Sequence, residues 1–308
     1  MQQTGQSVLL TGATGFIGSR LLPRLLEQGV RIRCLVRSVE KFRSRFPNLN
    51  RVEVIQGDLL ANSGLDRALE GIDAAYYLVH SMASTQKFGR DFSEQDKKAA
   101  RHFLRAAEGA GLERVIYLSG LGTDQEELSK HLSSRQEVGR ILASGTVRTT
   151  ELRAGVIIGS GGASFEIIRY LVERLPLMIA PKWVNTRCQP IAVDNVMDYL
   201  QGCLDVPETA GQILEICGPE ELSYRELLLS YANVRRLKRA IVSVPVLTPK
   251  LSSYWVRLIT PVPGGVVQPL IQGLKNNVVC HENRIRELIP VRLIPMKEAI
   301  RTALNESS

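Results

Sequence analysis

The sequence predicts an α/β fold in which helices cover both faces of a parallel sheet. Short apolar runs alternate with amphipathic helical stretches through the first half of the chain, a pattern typical of repeated strand–helix–strand units. A glycine-rich segment separates the first apolar run from the first helical stretch. The chain has 308 residues, of which 44% are hydrophobic and 23% are charged. This composition is that of a globular protein and excludes the disordered and collagen-like classes.

The individual elements follow from the spacing of apolar residues. Ser7–Thr11 is a short apolar run that ends at glycines, and apolar residues then recur at helical spacing until Gly29. Ala74–Val79 is apolar throughout, which is typical of a strand buried on both faces. Further strands are predicted at residues 31–36, 52–55, 115–118 and 149–152, with helices at 65–69, 92–110 and 134–142.

The glycine-rich segment has the form of a phosphate-binding loop. Gly12, Gly15 and Gly18 are spaced G-x-x-G-x-x-G between a strand and a helix. In a Rossmann-type fold these glycines allow a tight turn, a close approach to a pyrophosphate at the helix N-terminus, and close helix–strand packing. Thr14, Phe16 and Ile17 lie in the same loop and are expected to contact the dinucleotide. The alternative is a tight turn that binds no ligand.

The end of the second strand predicts which dinucleotide is bound. An NAD site usually has an acidic residue about 20 positions after the loop, where it binds the ribose 2′-hydroxyl. Arg37 and Ser38 occupy that position here and are suited to a 2′-phosphate. We therefore expect NADP as the cofactor, with NADPH preferred over NADH. Asp58 and Leu59 follow the third strand, where Asp58 either flanks the adenine or caps a helix.

The second half of the chain predicts a smaller α/β lobe. Helical patterns occur at 165–175, 195–204, 223–231 and 296–304, and short strands at 213–217 and 241–244. We expect an NAD(P)-binding region at residues 1–160 and a C-terminal substrate or interaction lobe at 161–308, interleaved with the first sheet. An apolar, proline-rich segment at 245–274 is suited to a pocket wall, a dimer interface or a membrane contact.

Charge and cysteine content bear on partners and compartment. The net charge of +8 is compatible with nucleic acid, an acidic membrane or an anionic ligand, but no nucleic-acid-binding motif is present. Residues 31–51 carry seven basic residues and one acid, so much of the charge is explained by a phosphorylated dinucleotide. The five cysteines have no metal-site or disulfide-framework spacing, which favours reduced thiols in the cytoplasm and no metal. We expect a monomer or homodimer, and contact with a membrane surface is kept as an alternative.

Several short segments resemble landmarks of one enzyme superfamily. The loop T-G-A-T-G-F-I-G and the segments G-D-L at 57–59, Y-L-S-G at 117–120 and L-R-A-G at 152–155 are similar to those of extended and atypical short-chain dehydrogenases/reductases. Within that superfamily the chain resembles the NmrA-like branch. The resemblance implies a Rossmann-type, doubly wound parallel sheet with a small C-terminal α/β substrate lobe. It also implies cofactor contacts from Val79, His80, Ser81, Gly155 and Val156.

The catalytic residues depart from the pattern of that superfamily. Its active members use Ser, Tyr and Lys, the last two spaced Y-x-x-x-K on one helix face. Ser119 fits the serine position, but His131 and Arg135 stand where Tyr and Lys are expected. His131 is either an acid or base, since imidazole titrates near neutrality, or a histidine without a catalytic role. Arg135 is suited to a ribose contact, although it is a poorer proton relay than lysine.

Two classes of function follow. The first is an NADP-dependent oxidoreductase acting on a small carbonyl, alcohol or quinone-like molecule, with the cofactor providing the hydride. The second is a non-catalytic dinucleotide sensor or a regulatory or assembly factor, which the missing Tyr–Lys pair favours. The step from superfamily to reaction is an analogy, because a fold does not fix a function.

Overall fold

A seven-stranded parallel sheet forms the centre of the molecule in a computed structural model. The structure describes residues 5–80, 92–122, 129–244, 259–262 and 276–307, together with positions 267, 270, 273 and 274. The strands of the sheet are β1 Ser7–Thr11, β2 Arg31–Val36, β3 Glu53–Gln56, β4 Ala74–Tyr77, β5 Arg114–Gly120, β6 Arg148–Ala154 and β11 Ile213–Ile216. Their order is β3-β2-β1-β4-β5-β6-β11, and every neighbouring pair is parallel. The chain reverses its direction of winding between β1 and β4, as in a doubly wound fold.

Helices cover both faces of this sheet. The helices are α1 Gly18–Glu27, α2 Val39–Arg45, α3 Leu65–Leu69, α4 Phe92–Gly109, α5 Lys130–Ala143, α6 Ala163–Arg174, α7 Val193–Asp205, α8 Tyr224–Val234, α9 Arg284–Leu288 and α10 Met296–Asn305. One buried cluster joins α1, α2, α7 and α9 to the sheet, and a second joins α3, α4 and α5 to its other face. β4 is buried along its whole length, as predicted from its continuous apolar run.

The C-terminal part of the chain contributes to the sheet and also forms a lobe of its own. β11 extends the central sheet beside β6. The lobe contains β8 Leu177–Pro181 and β13 Ala240–Val244, which pair in parallel, with α6, α8 and α10 around a separate core. Four two-residue strands complete it: β7 Ile157–Ile158, β9 Arg187–Cys188, β10 Ile191–Ala192 and β12 Leu222–Ser223. The predicted capping box of Ser223 and Glu226 is present at the start of α8.

The cysteines differ from the sequence prediction. Cys217 and Cys280 form a disulfide, so the expectation of reduced thiols throughout is wrong for this pair. Cys217 directly follows β11, and the segment holding Cys280 returns to the same place, where the Cys280 N–H donates to Gln189 Oε1 at 3.1 Å. The two cysteines are 63 residues apart, and no pattern of cysteine spacing in the sequence indicates that they pair. The three other cysteines are free and buried, and the cytoplasmic location stays a prediction.

No helix among the described residues combines the length and the hydropathy that are needed to cross a bilayer. Ser81 lies outside the described residues, as does most of the segment 245–274.

Candidate functional site

The glycine-rich loop lies at the carboxyl edge of the sheet, where its winding reverses. Thr11, the last residue of β1, links β1 to β4 across the point where the winding reverses. Its hydroxyl donates to the Tyr76 carbonyl at 3.0 Å and accepts from the Leu78 N–H at 3.2 Å. Gly12 has a φ of +73°, and a Cβ there would lie 2.5 Å from the Leu78 carbonyl oxygen. A Cβ at Gly18 would lie 2.3 Å from the Gly12 oxygen. The loop therefore requires glycine for both conformation and close packing.

The backbone of this loop offers unused hydrogen-bond donors. The N–H groups of Thr14, Phe16 and Ile17 have no hydrogen-bond acceptor among the described residues. Ile17 precedes α1 without a side-chain cap, and the first turn of α1 holds no acidic residue. A helix N-terminus with free N–H groups and no internal anion attracts a phosphate, so the arrangement fits a dinucleotide pyrophosphate.

Several arginines of the basic cluster at residues 31–51 have partners within the protein, whereas the side chain of Arg37 has none among the described residues. Arg33 forms an ion pair with Glu53 at 2.7 Å, and Arg43 donates to the Leu49 and Val52 carbonyls. The side chain of Arg37 is exposed at the end of β2 and has no partner among the described residues. Ser38 accepts from the Lys41 N–H at 3.2 Å, so its hydroxyl caps α2. Arg37 is thus the guanidinium that stays available to a ligand at this edge.

The residues after β3 have mainly local roles. The Asp58 carboxylate accepts from the Leu60 N–H at 2.8 Å and thereby holds a turn. The alternative that Asp58 caps a helix is wrong, because α3 begins after Gly64. The side chain of Leu59 is buried in the core, and its carbonyl accepts from His102 Nδ1 at 2.7 Å. Contacts of Asp58, Leu59 and the partly buried Val79 with an adenosine stay predictions.

A cavity of about 340 Å³ opens beside the glycine-rich loop. Seven of the residues proposed from the sequence line it, namely Phe16, Ile17, Ser119, His131, Arg135, Gly155 and Val156. The other end of the cavity is walled by apolar side chains of the C-terminal lobe, including Ile167, Ile168, Leu171, Trp183, Leu227, Leu228 and Leu274. No carboxylate lies among the described lining residues. The cavity therefore joins a polar end to an apolar end.

Ser119 and Arg135 lie at the polar end. The Ser119 side chain is buried at this end, and its hydroxyl lies close to the side chains of Glu151 and Tyr117, whose pKa values it lowers through hydrogen bonding. Arg135 donates to the Leu118 carbonyl at the end of β5, and its guanidinium lies 5.8 Å from the ring centre of Tyr117. Arg135 thereby gives this end of the cavity a fixed positive charge.

His131 is part of a chain of hydrogen bonds that reaches the cavity. The His80 Nδ1 lies 2.5 Å from Asp96 Oδ2, and the His80 Nε2 lies 3.1 Å from His131 Nδ1. The two imidazole rings stack with their centres 5.0 Å apart. His131 Nε2 is left as the nitrogen without a protein partner among the described residues, in a side chain that lines the cavity. Asp96 lies in α4, His80 lies three residues after the end of β4, and His131 lies in α5.

The electrostatics of this chain follow from burial. Burial lowers the pKa of His131 well below its ordinary value of 6.5, and the nearby His80 and Arg135 lower it further. Burial also lowers the pKa of His80, although the hydrogen bond that His80 donates to Asp96 acts in the opposite direction. A neutral His80 that donates Nδ1–H to the Asp96 carboxylate must accept a hydrogen bond at Nε2. His131 then donates from Nδ1 and presents an unprotonated Nε2 to the cavity.

His131 and His80 were each predicted from the sequence as candidate site residues, but Asp96 was not. His80 was expected to contact the cofactor, and its contact with His131 was not predicted. Asp96 lies within a helix rich in charged residues, where a carboxylate is usually exposed. Its 4% exposure is the signal that distinguishes it, and this signal exists only in three dimensions.

Comparison with known proteins agrees with this geometry. Residues 12–164 match the model of an NAD(P)H-binding family. The chain is 33% identical over 115 residues to a putative dihydroflavonol 4-reductase of Synechocystis sp., covering 36% of this chain and 32% of that protein. It is 25% identical over 224 residues to divinyl chlorophyllide a 8-vinyl-reductase of Zea mays, covering 69% of this chain and 55% of the relative. The chain thus spans only about a third and about half of these two relatives.

A further relative and two solved structures match most of the chain. Ceramide reductase of Caulobacter vibrioides is 29% identical over 238 residues, covering 77% of this chain and 73% of that protein. An NADPH-dependent quinone oxidoreductase of Escherichia coli, solved with NADPH, superimposes with a TM-score of 0.76 at 18% identity, covering 97% of this chain and all 100% of the other. A nucleoside-diphosphate-sugar epimerase of Staphylococcus aureus superimposes with a TM-score of 0.74 at 15% identity, covering 96% of this chain and 100% of the other. These structural likenesses show the fold.

Proposed function

We propose that this chain, an atypical NmrA-like member of the short-chain dehydrogenase/reductase superfamily with an NAD(P)H-binding domain, is an NADPH-dependent reductase of an apolar carbonyl or quinone-like substrate. The observation that carries the proposal is the cavity lined by His131, Ser119 and the glycine-rich loop at one end and by apolar side chains at the other. The cofactor-binding edge, a titratable group and an apolar pocket meet in this one place.

The exposed Arg37 supports NADPH rather than NADH as the reductant. Arg37 lies at the end of β2, and no acidic residue stands beside it to bind a ribose hydroxyl. A guanidinium binds a phosphate with two parallel, charge-assisted hydrogen bonds. The loop N–H groups would hold the pyrophosphate, and Arg135 and Ser119 would face the ribose and nicotinamide end.

Replacing Arg37 by aspartate is expected to weaken NADPH far more than NADH. A charge-assisted bond to phosphate contributes about 1.5–3 kcal/mol, so the Kd for NADPH should rise roughly 10- to 100-fold. NADH lacks the 2′-phosphate, and its Kd should change little. Fluorescence titration with both nucleotides measures the two constants. Arg51→Asp is the matched control, since it removes an exposed arginine of the same basic cluster. Equal weakening of both nucleotides by Arg37→Asp would contradict the assignment.

The Asp96–His80–His131 chain is suited to deliver the proton of a carbonyl reduction. When bound, NADPH supplies the hydride. In the protonated state of the chain, the extra proton resides on His80, where the Asp96 carboxylate stabilises the positive charge. His131 is then neutral with a proton on Nε2. It donates this proton to the substrate oxygen and takes the proton of His80 Nε2 at its own Nδ1. The positive charge on the chain disappears, and solvent restores it before the next turnover.

The shape of the cavity favours a substrate with one polar group on an apolar body. The charged and titratable side chains His131 and Arg135 lie at one end of the cavity, whereas the lining side chains from α6, α8 and Trp183 are apolar apart from the hydroxyls of Ser164 and Tyr224. Burying a substrate carboxylate or phosphate among these apolar side chains would leave its charge unpaired. Ceramide reductase and the quinone oxidoreductase act on molecules that their names describe as lipids or quinones, which agrees with this class.

Turnover of NADPH with a graded set of carbonyl compounds tests the proposal. Purified protein is assayed by loss of NADPH absorbance with aldehydes, ketones and quinones of increasing alkyl length. We expect kcat/KM to rise with chain length, since each buried methylene contributes about 0.8 kcal/mol, or roughly fourfold. Tight NADPH binding without turnover of any compound would contradict the reductase and favour the dinucleotide sensor.

A further inference from the structure

The surface of the lobe that faces away from its core exposes a strip of large apolar side chains. Leu177, Ile179 and Val242 are 52%, 54% and 49% exposed, and Ile213 of the central sheet, at 53%, has the only comparable exposure among the described large hydrophobic residues. Ile179 lies opposite Val242 in the β8–β13 pair. The alternate residue Met178 is only 4% exposed and packs into the lobe core. We call Leu177, Ile179 and Val242 the apolar face.

The segments that contain and flank the strands of this face are rich in basic residues. Residues 174–186 and 227–244, which contain β8, β13 and their approaches, carry six basic residues and no aspartate or glutamate: Arg174, Lys182, Arg235, Arg236, Lys238 and Arg239. The basic excess at residues 31–51 is accounted for by the proposed dinucleotide site, whereas this second basic excess lies in the C-terminal lobe.

Three of the six have a structural explanation. Arg239 donates to the Val172 and Glu173 carbonyls at the end of α6, and Arg235 lies 3.3 Å from the Glu173 carboxylate. Arg174 donates to the Ile259 carbonyl and lies over the Tyr170 ring. Among the described residues, the other three, Lys182, Arg236 and Lys238, form no ion pair. Arg187, in contrast, is neutralised by Glu221 and Glu226. The unpaired charges therefore remain available to an external anion.

Elements that adjoin β8 along the chain line the cavity. α6 lines it through Ile167 and Leu171, and β8 begins shortly after the last residue of α6, Arg174. Trp183, two residues after the end of β8, also lines the cavity. The apolar face and part of the cavity wall therefore belong to one continuous stretch of the C-terminal lobe.

We propose that the apolar face and the basic segments that flank it dock on the surface of an anionic phospholipid bilayer. Exposed apolar side chains enter the boundary between headgroups and acyl chains, while lysine and arginine attract the anionic headgroups. Charge complementarity selects this occupant over a second copy of the chain, because two such faces would bring like charges together. The docked protein presents the lobe that holds the apolar cavity to the lipid phase.

Flotation with vesicles tests this docking without any measurement of turnover. The full chain is mixed with vesicles of phosphatidylcholine alone, or of equal parts phosphatidylcholine and phosphatidylglycerol. We expect at least tenfold stronger binding to the anionic vesicles and a loss of binding at high salt, which screens surface charge. Equal binding to both vesicles, or no binding to either, overturns the proposal. Failure here leaves the reductase proposal intact, and lack of turnover leaves the docking intact.

Two pairs of variants locate the surface. Leu177→Thr with Ile179→Thr is expected to reduce vesicle binding at least tenfold, whereas Ile213→Thr, which removes an equally exposed side chain from the central sheet, leaves it unchanged. Lys182→Glu with Lys238→Glu is expected to have the same effect, and Lys297→Glu with Arg105→Glu serves as the charge-matched control.

If the variant with the two threonine substitutions fails to fold, the two lysine substitutions alone test whether this surface binds the vesicles. Equal loss in the controls overturns the proposal. If sedimentation shows a dimer and the two threonine substitutions dissociate it, the face binds a second copy of the chain and the membrane proposal is overturned.

Discussion

Replacement of His131 by asparagine is expected to lower kcat for the reduction of the best carbonyl substrate by roughly 100-fold or more, the usual contribution of a positioned proton donor. Asparagine retains a polar group that is able to accept or donate a hydrogen bond towards His80, but it does not exchange protons near neutrality. The Kd of NADPH should stay unchanged, because the loop N–H groups and Arg37 are untouched. Steady-state kinetics and nucleotide titration measure the two quantities. His281→Asn is the control, since it removes an exposed imidazole far along the chain.

The dependence of the rate on pH tests the same prediction independently. The protonated chain is the proton donor, and burial lowers the pKa values of both imidazoles below 6.5. The kcat/KM for reduction should therefore rise as the pH falls through an apparent pKa below 6.5, and oxidation of the alcohol by NADP should show the opposite trend. Asp96→Asn removes the carboxylate that favours the charged form, so its profile should move to lower pH. An unshifted profile with a uniformly reduced rate would mean that Asp96 is only structural.

Replacement of Gly12 by alanine is expected to abolish most NADPH binding and to lower the free energy of unfolding by about 1–3 kcal/mol. Two causes act together at this position. Its φ of +73° disfavours any side chain, and the new Cβ would lie 2.5 Å from the Leu78 carbonyl oxygen. Because that contact is with backbone, the loop must move, and the N–H groups that face the pyrophosphate move with it. Urea unfolding and NADPH titration measure the two effects.

Gly111→Ala separates these two causes. Gly111 has a φ of +68°, but a Cβ there would meet nothing within 4 Å. This variant should show the cost of the left-handed conformation alone, with NADPH binding retained. If Gly12→Ala bound NADPH as tightly as Gly111→Ala does, the close approach of the loop to β4 would have no part in cofactor binding.

Local patterns predicted most of the fold. The bounds of β1, β2 and α3 agree with the sequence prediction, because each is a short periodic run with a clear stop. The glycine spacing identified the turn that positions α1, since its conformation is set by residues adjacent in the chain. α2 was not predicted, because Phe42 is its one buried residue and a single apolar residue gives no periodicity.

The sequence by itself determined the succession of most strands and helices along the chain, the glycine-rich loop and the place of Arg37 at the end of β2. These features depend on residues that are neighbours along the chain. Only the tertiary structure decided that Asp96, His80 and His131 form one hydrogen-bonded chain, and that Cys217 meets Cys280. These contacts join residues 16 to 63 positions apart. Such contacts arise because sheet and lobe packing brings separate elements together, and no local periodicity records which side chains then meet.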